Sequence, residues 1–197
     1  HVPYGKTVHG EEEIEAVVNV LRTSTQMGKN VRKFEEKVAA LYDKKHGVMV
    51  NSGSSALYLA VDLLQLPEGS EVITPALTFA TTVAPLVKNG LIPAFVDVEE
   101  GTYNTDWSKV EEMITPKTKA FMIPNLMGNL PDWKKLREIA DKHNLFVVED
   151  SADTLGAEID GKSSGRFADM STTSFYGSHV INAGGNGGML CLNDDKM

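Results

Sequence analysis

Short apolar runs rich in β-branched residues alternate along the chain with longer segments in which apolar residues recur every three or four positions. The first pattern is typical of buried strands and the second of amphipathic helices, so their alternation predicts βαβ units. We therefore expect an α/β fold with three layers: a mostly parallel sheet with helices on both faces. The predicted strands are 46–51, 71–74, 92–98, 119–124, 145–149 and one within 168–175, and the predicted helices are 11–21, 31–42, 56–64, 82–89, 108–114 and 133–143.

Three details of the pattern make narrower predictions. In the helix 31–42, the residues Phe34, Val38 and Leu41 fall on one face and are expected to be buried. The run 46–51 is predicted to be a short buried strand. An apolar, strand-like run precedes Asp194, and no helical segment follows it. We interpret residues 1–197 as one large domain that is a fragment of a longer protein.

Composition and charge exclude several classes of function. The single cysteine, Cys191, excludes an internal disulfide framework and a four-cysteine zinc or iron–sulfur site, and it favours a reducing compartment, the cytoplasm. We expect Cys191 itself to be a small buried hydrophobe. No apolar run approaches the roughly 20 residues of a membrane span, and the opening residues lack the pattern of a signal peptide, so neither membrane nor export is expected. A net charge of -8 disfavours nucleic acid as a partner.

Polar groups follow three of the predicted strands, at the carboxyl ends where open parallel sheets bind ligands. Ser52-Gly53-Ser54-Ser55 leads into a helix and could bind a phosphate, or it could be only a turn and an N-cap. In Glu149-Asp150-Ser151-Ala152-Asp153, a carboxylate could pair with a protonated ring nitrogen, or Asp150 or Asp153 could cap a following helix. The third segment runs from Ser174 to His179 and is followed by the glycines of 184–188, which permit close backbone approach or a tight turn.

Taken in order, these segments resemble the DegT/DnrJ/EryC1/StrS family of sugar aminotransferases, which have the fold-type I, aspartate-aminotransferase-like architecture. The resemblance covers essentially the whole chain. It is carried by FEEKVAALY (34–42), NSGSSALYLAV (51–61), EVITPALTFATT (71–82), FVDVEEGTYNTD (95–106), NLMGN (125–129) and VVEDSADTLGA (147–157). The resemblance implies pyridoxal 5'-phosphate or pyridoxamine 5'-phosphate as cofactor, a homodimer with its active site at the subunit interface, and a smaller C-terminal domain that this chain lacks.

The resemblance also implies roles for individual residues. Those that would bind the cofactor phosphate are Gly53, Ser54, Ser55 and Ser174. Phe79 would stack on the cofactor ring, Asp150 would contact its pyridine nitrogen, and Asp153 would belong to the same cofactor site.

Two positions depart from the aminotransferase pattern. The family's cofactor-binding lysine follows "SFY" by three residues, and this chain has His179 there, with its nearest lysines at Lys162 and Lys196. Asp153 stands where the aminotransferases usually carry Gln or His. Both features resemble the family's deoxysugar 3-dehydratases, which bind pyridoxamine phosphate without a covalent link. Ala152 stands where the iron–sulfur-dependent branch of these dehydratases has a cysteine, so the cluster-free branch is the better match.

The resulting hypothesis is C3 dehydration of a nucleotide-linked 4-keto-6-deoxysugar in deoxysugar biosynthesis, as for lipopolysaccharide O-antigen. His179 would be the catalytic base, and glutamate would be the amino donor for the cofactor. A sugar aminotransferase and a catalytically inert homologue remain alternatives. Asn186 bears on the inert alternative, because the family more often has Glu at this position. A structural role for His179, or a lysine replaced by design, also stays open.

Overall fold

The computed structural model describes residues 1–2, 6 and 8–197. Part of the opening segment on which the expectation of no signal peptide depends, residues 3–5, therefore lies outside the described residues. The helices are α1 (Glu11–Thr23), α2 (Lys29–Leu41), α3 (Gly53–Leu64), α4 (Ala80–Lys88), α5 (Trp107–Val110) and α6 (Trp133–His143). The strands are β1 (His46–Val50), β2 (Glu71–Pro75), β3 (Ile92–Val96), β4 (Thr118–Pro124), β5 (Phe146–Asp150), β6 (Glu158–Ile159), β7 (Lys162–Ser163), β8 (Met170–Ser174) and β9 (Gly188–Leu192).

Seven of the strands form one sheet in the order β1-β9-β8-β5-β4-β2-β3. The five strands β8, β5, β4, β2 and β3 run parallel to one another, whereas β9 runs antiparallel to both β8 and β1. The mostly parallel α/β sheet predicted from the sequence is thus confirmed. The apolar run before Asp194 is β9, which lies inside the sheet between β1 and β8.

Both faces of the central strands are covered, which explains why their sequences are continuously apolar. Successive side chains of β5 point to opposite faces, because the side-chain period of a strand is two. Val148 packs with the residues of α3 in one cluster, and Val147 packs with Trp133 and Leu136 of α6 in another. Asp150 therefore lies on the face of the sheet that α3 covers, and Glu149 lies on the face that α6 covers.

Several predicted details differ from the structure. β1 is a half-buried edge strand rather than a buried one, because only β9 pairs with it. Leu41 is 44% exposed. The residues of α2 and its C-cap that pack on the core are spaced four apart, at Phe34, Val38 and Tyr42, so Leu41 lies outside the buried face. The segment after β5 enters turns and the short β6–β7 hairpin, so neither Asp150 nor Asp153 caps a following helix.

Cys191 is a fully buried member of the cluster beneath α2, as expected, and burial raises the pKa of its thiol to about 12. None of the helices in the described part of the chain is long and apolar enough to cross a membrane.

Candidate active site

The turn after β1 and the end of β8 lie at the same level of the sheet. Val50 of β1 pairs with Gly188 of β9, and Gly188 pairs in turn with Ser174 of β8. The chain leaving β1 therefore has to cross the start of β9 if it is to reach Ser174. This crossing brings together two segments that are far apart in sequence.

Gly188 makes that crossing possible because it has no side chain. A Cβ atom at this position would lie 2.2 Å from the carbonyl oxygen of Ser52. Gly53 is equally constrained, since a Cβ there would lie 2.6 Å from the Cβ of Ser174. Both glycines are needed for close backbone approach, and the approach puts the first residue of α3 directly against Ser174.

The resulting cradle has the donors that a phosphate needs. Ser52 caps α3 by accepting a hydrogen bond from the Ser55 backbone N–H at 3.1 Å, which leaves the N–H groups of Gly53 and Ser54 without an intrahelical partner. The Oγ atom of Ser174 accepts from the Tyr176 N–H at 3.3 Å, so its own hydrogen remains free to donate. The positive end of the α3 dipole adds to this preference for an anion. The cradle therefore fits the phosphate of the cofactor that the sequence predicts.

Asp150 lies at the carboxyl end of β5 and is only 6% exposed. Its carboxylate accepts hydrogen bonds from the Thr82 hydroxyl at 2.8 Å and from the Ala152 N–H at 3.2 Å. Burial raises the pKa of Asp150 to about 6, and these two hydrogen bonds oppose the rise. Among the described residues, no lysine or arginine forms a salt bridge with it. A protonated ring nitrogen would supply the missing positive charge.

Phe79 immediately precedes α4, one turn before Thr82, whose N–H donates to the Phe79 carbonyl at 2.9 Å. Thr82 in turn contacts Asp150, so the backbone of Phe79 is tied to the Asp150 end of the site. The Phe79 side chain is 71% exposed, which is unusual for a phenylalanine. Its ring is thus accessible for stacking on a planar ligand.

His179 and Asp153 face each other across the site. The distance from His179 Nε2 to Asp153 Oδ1 is 4.0 Å, while the other oxygen of Asp153 accepts from the Met127 N–H at 2.9 Å. The His179 side chain is 22% exposed, and its Nδ1 atom is buried without a hydrogen-bond partner. The carboxylate of Asp153 thus faces one ring nitrogen of His179, and the other ring nitrogen has no hydrogen-bond partner among the described residues.

Sequence reasoning missed three contributors to this geometry: Thr82, Met127 and Gly188. Thr82 and Met127 lie inside stretches that carried the family resemblance, "TFATT" and "NLMGN", but nothing in those letters shows that they contact Asp150 and Asp153. Met127 has a left-handed backbone, with φ of 55°, which is uncommon for a residue other than glycine. Gly188 belongs to the glycine run in which close backbone approach was expected, although the partner, Ser52, could not be named.

A second buried carboxylate, Glu149, lies behind the site on the α6 face of the sheet. Its oxygens accept from the Asn125 side-chain amide at 2.8 Å and from the hydroxyls of Ser151, Ser164 and Ser171 at 2.9, 2.6 and 2.6 Å. Asn125 also accepts from the Trp133 indole N–H at 2.8 Å. This Glu149 network joins the carboxyl ends of β4 and β5 to the first half of β8, on the side opposite Asp150. No cluster of three or more His, Cys, Asp or Glu suited to a metal occurs in the described residues.

The sequence model of the DegT/DnrJ/EryC1/StrS aminotransferase family matches residues 7–197. The chain belongs to this family. The resemblance stated from its motifs is therefore confirmed.

Relatives in this family include both dehydratases and an aminotransferase. The chain is 38% identical to dTDP-4-dehydro-2,6-dideoxy-D-glucose 3-dehydratase of Saccharopolyspora spinosa, over 95% of this chain and 42% of that protein. It is 38% identical to GDP-perosamine synthase of Caulobacter vibrioides, over 88% of this chain and 46% of that protein. The solved structure of E. coli GDP-4-keto-6-deoxy-D-mannose-3-dehydratase with bound hydrated PLP superposes with a TM-score of 0.93 at 32% identity, covering 99% of this chain and 52% of that one.

The chain thus spans about half the length of the relatives it matches. The superposition confirms the fold-type I architecture that the resemblance implied.

Proposed function

We propose that this protein is a 3-dehydratase that uses pyridoxamine phosphate, bound without a covalent link, to remove the C3 hydroxyl of a nucleotide-linked 4-keto-6-deoxysugar. The observation that carries the proposal is His179: an imidazole, rather than a lysine amine, lies beside Asp153 at the site. The sequence contains no lysine between Lys162 and Lys196, so this segment offers no substitute amine. Imidazole can exchange protons near neutral pH but cannot hold an aldehyde covalently as lysine does.

In this proposal the cradle of Gly53, Ser54, Ser55 and Ser174 binds the cofactor phosphate, and Phe79 stacks on the ring. Asp150 pairs with the pyridine nitrogen and keeps it protonated. When bound, the cofactor supplies an electron-withdrawing ring that lowers the cost of negative charge developing during proton removal. Asp150 and Phe79 are thereby responsible for orienting that ring, and the cradle for fixing its position.

His179 is the proposed base, and Asp153 positions it. The Nε2 atom of His179 lies 4.0 Å from Asp153 Oδ1, so this carboxylate faces the imidazole and orients the ring. Negative charge on Asp153 stabilises the imidazolium that forms when His179 accepts a proton. The bond from the Met127 N–H holds Asp153 in place for this role.

The remaining assignments are part of the same proposal. Residues 1–197 form the cofactor-binding large domain, and the enzyme acts as a homodimer in the reducing cytoplasm that the single cysteine favours. Its partners are the nucleotide-sugar substrate and glutamate, which would return the cofactor to the amine form.

A spectroscopic experiment tests the proposal. Pyridoxal phosphate and excess glutamate are added to the full-length protein, and the absorption spectrum is followed before and after borohydride reduction and dialysis. We expect conversion to the pyridoxamine form and no cofactor left on the protein after reduction. A cofactor covalently retained after borohydride would instead show that a lysine performs the role assigned to His179.

The second candidate function is sugar amination, and the observation that favours it is the 38% identity to a GDP-perosamine synthase. Mass analysis of the sugar product distinguishes the two reactions. With glutamate supplying two electrons through the cofactor, the 3-deoxy product has lost one oxygen atom, whereas amination replaces the ketone oxygen with an amine. As a matched variant, His179→Lys should restore a borohydride-stable link to the cofactor and abolish dehydration. Dehydration that continues undiminished in His179→Lys would contradict the role of the histidine.

A further inference from the structure

Thr82 is a fully buried residue of α4 whose hydroxyl donates one hydrogen bond and accepts another. Its Oγ1 atom donates to Asp150 Oδ2 at 2.8 Å and accepts from the hydroxyl of Thr78 at 2.8 Å. A hydroxyl has one hydrogen, so the bond from Thr78 fixes the direction in which Thr82 donates. The two threonines form a hydrogen-bonded chain that ends on the carboxylate of Asp150.

The surroundings of Asp150 make this chain important. The charged groups that act on it are Asp153, from the following turn, and Glu149, from its own strand, and both disfavour its ionised form. Helix α4 contributes only the hydroxyl of Thr82. Within the described ranges, no lysine or arginine pairs with Asp150, so the donors that favour its charged form are Thr82 and the Ala152 N–H. A buried carboxylate that loses one of two donors becomes much harder to ionise.

We propose that Thr82 is a positioning residue that keeps Asp150 ionised and aimed at the cofactor's ring nitrogen, with Thr78 orienting the Thr82 hydroxyl. This inference rests on the proposed function, in which Asp150 pairs with that nitrogen. Thr82 itself acts through Asp150 and has no contact with the reacting atoms in this scheme.

Three substitutions separate the donor from the packing. Thr82→Val keeps the branched shape but removes the hydroxyl, and Thr82→Ser keeps the hydroxyl. Thr81→Val is the matched control, because Thr81 is the preceding residue of the same helix and makes no hydrogen bond to Asp150. Folding of each full-length variant is verified by circular dichroism.

The first measurement is the titration of the Asp150 carboxyl carbon by NMR in the cofactor-free protein, with Asp150→Asn used for assignment. In Thr82→Val we expect the midpoint to rise by about one pKa unit, the typical effect of removing one hydrogen bond to a buried carboxylate. Thr82→Ser and Thr81→Val should titrate as the wild type does. A wild-type midpoint in Thr82→Val, or a failure of Thr82→Ser to restore it, would overturn the inference.

The second measurement is the pH dependence of pyridoxal phosphate affinity. Binding should strengthen as the pH rises through the midpoint of Asp150, and in Thr82→Val this strengthening should move to higher pH by the same amount as the carboxyl titration. If the wild type binds no cofactor, the proposed function fails, while the carboxyl titration still decides the role of Thr82. If Thr82→Val does not fold, Thr78→Val replaces it, with a smaller rise of the same sign expected and an unchanged midpoint contradicting the inference.

Discussion

Asp150 lies in surroundings that disfavour its own charge. It is almost fully buried beside two other carboxylates, and burial raises its pKa from 3.8 to about 6. The folded state therefore holds a proton on Asp150 at pH values where the unfolded chain has already released it. Such a group destabilises the fold at neutral pH, a cost that the proposed pairing of Asp150 with the cofactor's ring nitrogen would explain.

We predict that Asp150→Asn raises the free energy of unfolding of the cofactor-free protein at pH 7 but not at pH 4. Because the folded pKa is raised, the wild type loses stability as the pH rises from about 4 to about 6, and the loss is complete above that range. The asparagine variant does not titrate here, so its advantage in free energy of unfolding should reach roughly 2–3 kcal/mol at pH 7. Urea unfolding at pH 4 and pH 7 measures this. An advantage of equal size at both pH values would contradict the electrostatic explanation.

At the scale of elements, β9 makes the candidate site possible. It runs antiparallel between β1 and β8, and its first residue is the glycine over which Ser52 passes. A side chain at that point would keep the start of α3 away from Ser174. The cradle is thus a consequence of strand order and of two glycines, Gly53 and Gly188, rather than of the serines alone.

We expect Gly188→Ala to disrupt the cradle, since its Cβ would meet the backbone of Ser52 and Gly53 at 2.2–2.6 Å. The backbone must move, so we expect a loss of several kcal/mol in stability or at least tenfold weaker binding of pyridoxal phosphate. Gly185→Ala is the control from the same glycine run, because nothing lies within 4 Å of its added Cβ. Isothermal titration and thermal unfolding of both variants measure the contrast. If the two variants lose stability and cofactor affinity equally, the close approach of Ser52 to Gly188 is not what the cradle depends on.

The elements that could be predicted from sequence are those whose burial is regular. The helix at 133–143 was predicted with the bounds of α6, because its apolar residues keep one period. The antiparallel placement of β9 was not predictable, since an apolar run is equally compatible with either direction of pairing. The site residues themselves came from the family resemblance. Their supports, such as Thr82, depend on contacts between α4 and β5 that no local pattern encodes.

The Glu149 network is a second arrangement that joins elements. Four donors converge on one buried carboxylate: Asn125 and Ser151, which follow β4 and β5, Ser171 within β8, and Ser164. We predict that Glu149→Ala destabilises the protein by roughly 2–4 kcal/mol, since it leaves buried donors without an acceptor. Glu149→Gln, which keeps one acceptor oxygen, should lose less. Glu158→Ala is the control for the loss of a glutamate, because Glu158 is exposed in β6. Chemical denaturation measures the free energy of unfolding of all three variants.

At the scale of the whole molecule, many exposed apolar side chains lie in two places. One is α1, which has no buried residue although Ile14, Val17 and Leu21 share a face. The other surrounds the candidate site, where Phe79 and the loop after β8 present apolar side chains to the surface. Apolar patches of this kind mark contact surfaces. The patch beside the site agrees with the proposed homodimer, in which the subunit interface borders the active site.

Val180 provides the test of that interface, because it is 62% exposed and directly follows the proposed base, His179. If a second subunit covers this loop, a charge at Val180 has to be buried without a partner, which is strongly unfavourable. We therefore expect Val180→Glu to shift the protein toward monomers in sedimentation equilibrium and to weaken pyridoxal phosphate binding in parallel. Val87→Glu is a matched control, since Val87 is 61% exposed but lies in the last turn of α4, away from the end that approaches Asp150. A Val180→Glu protein that remains dimeric would show that the subunits meet through another surface, and the apolar face of α1 would then be the next to be tested.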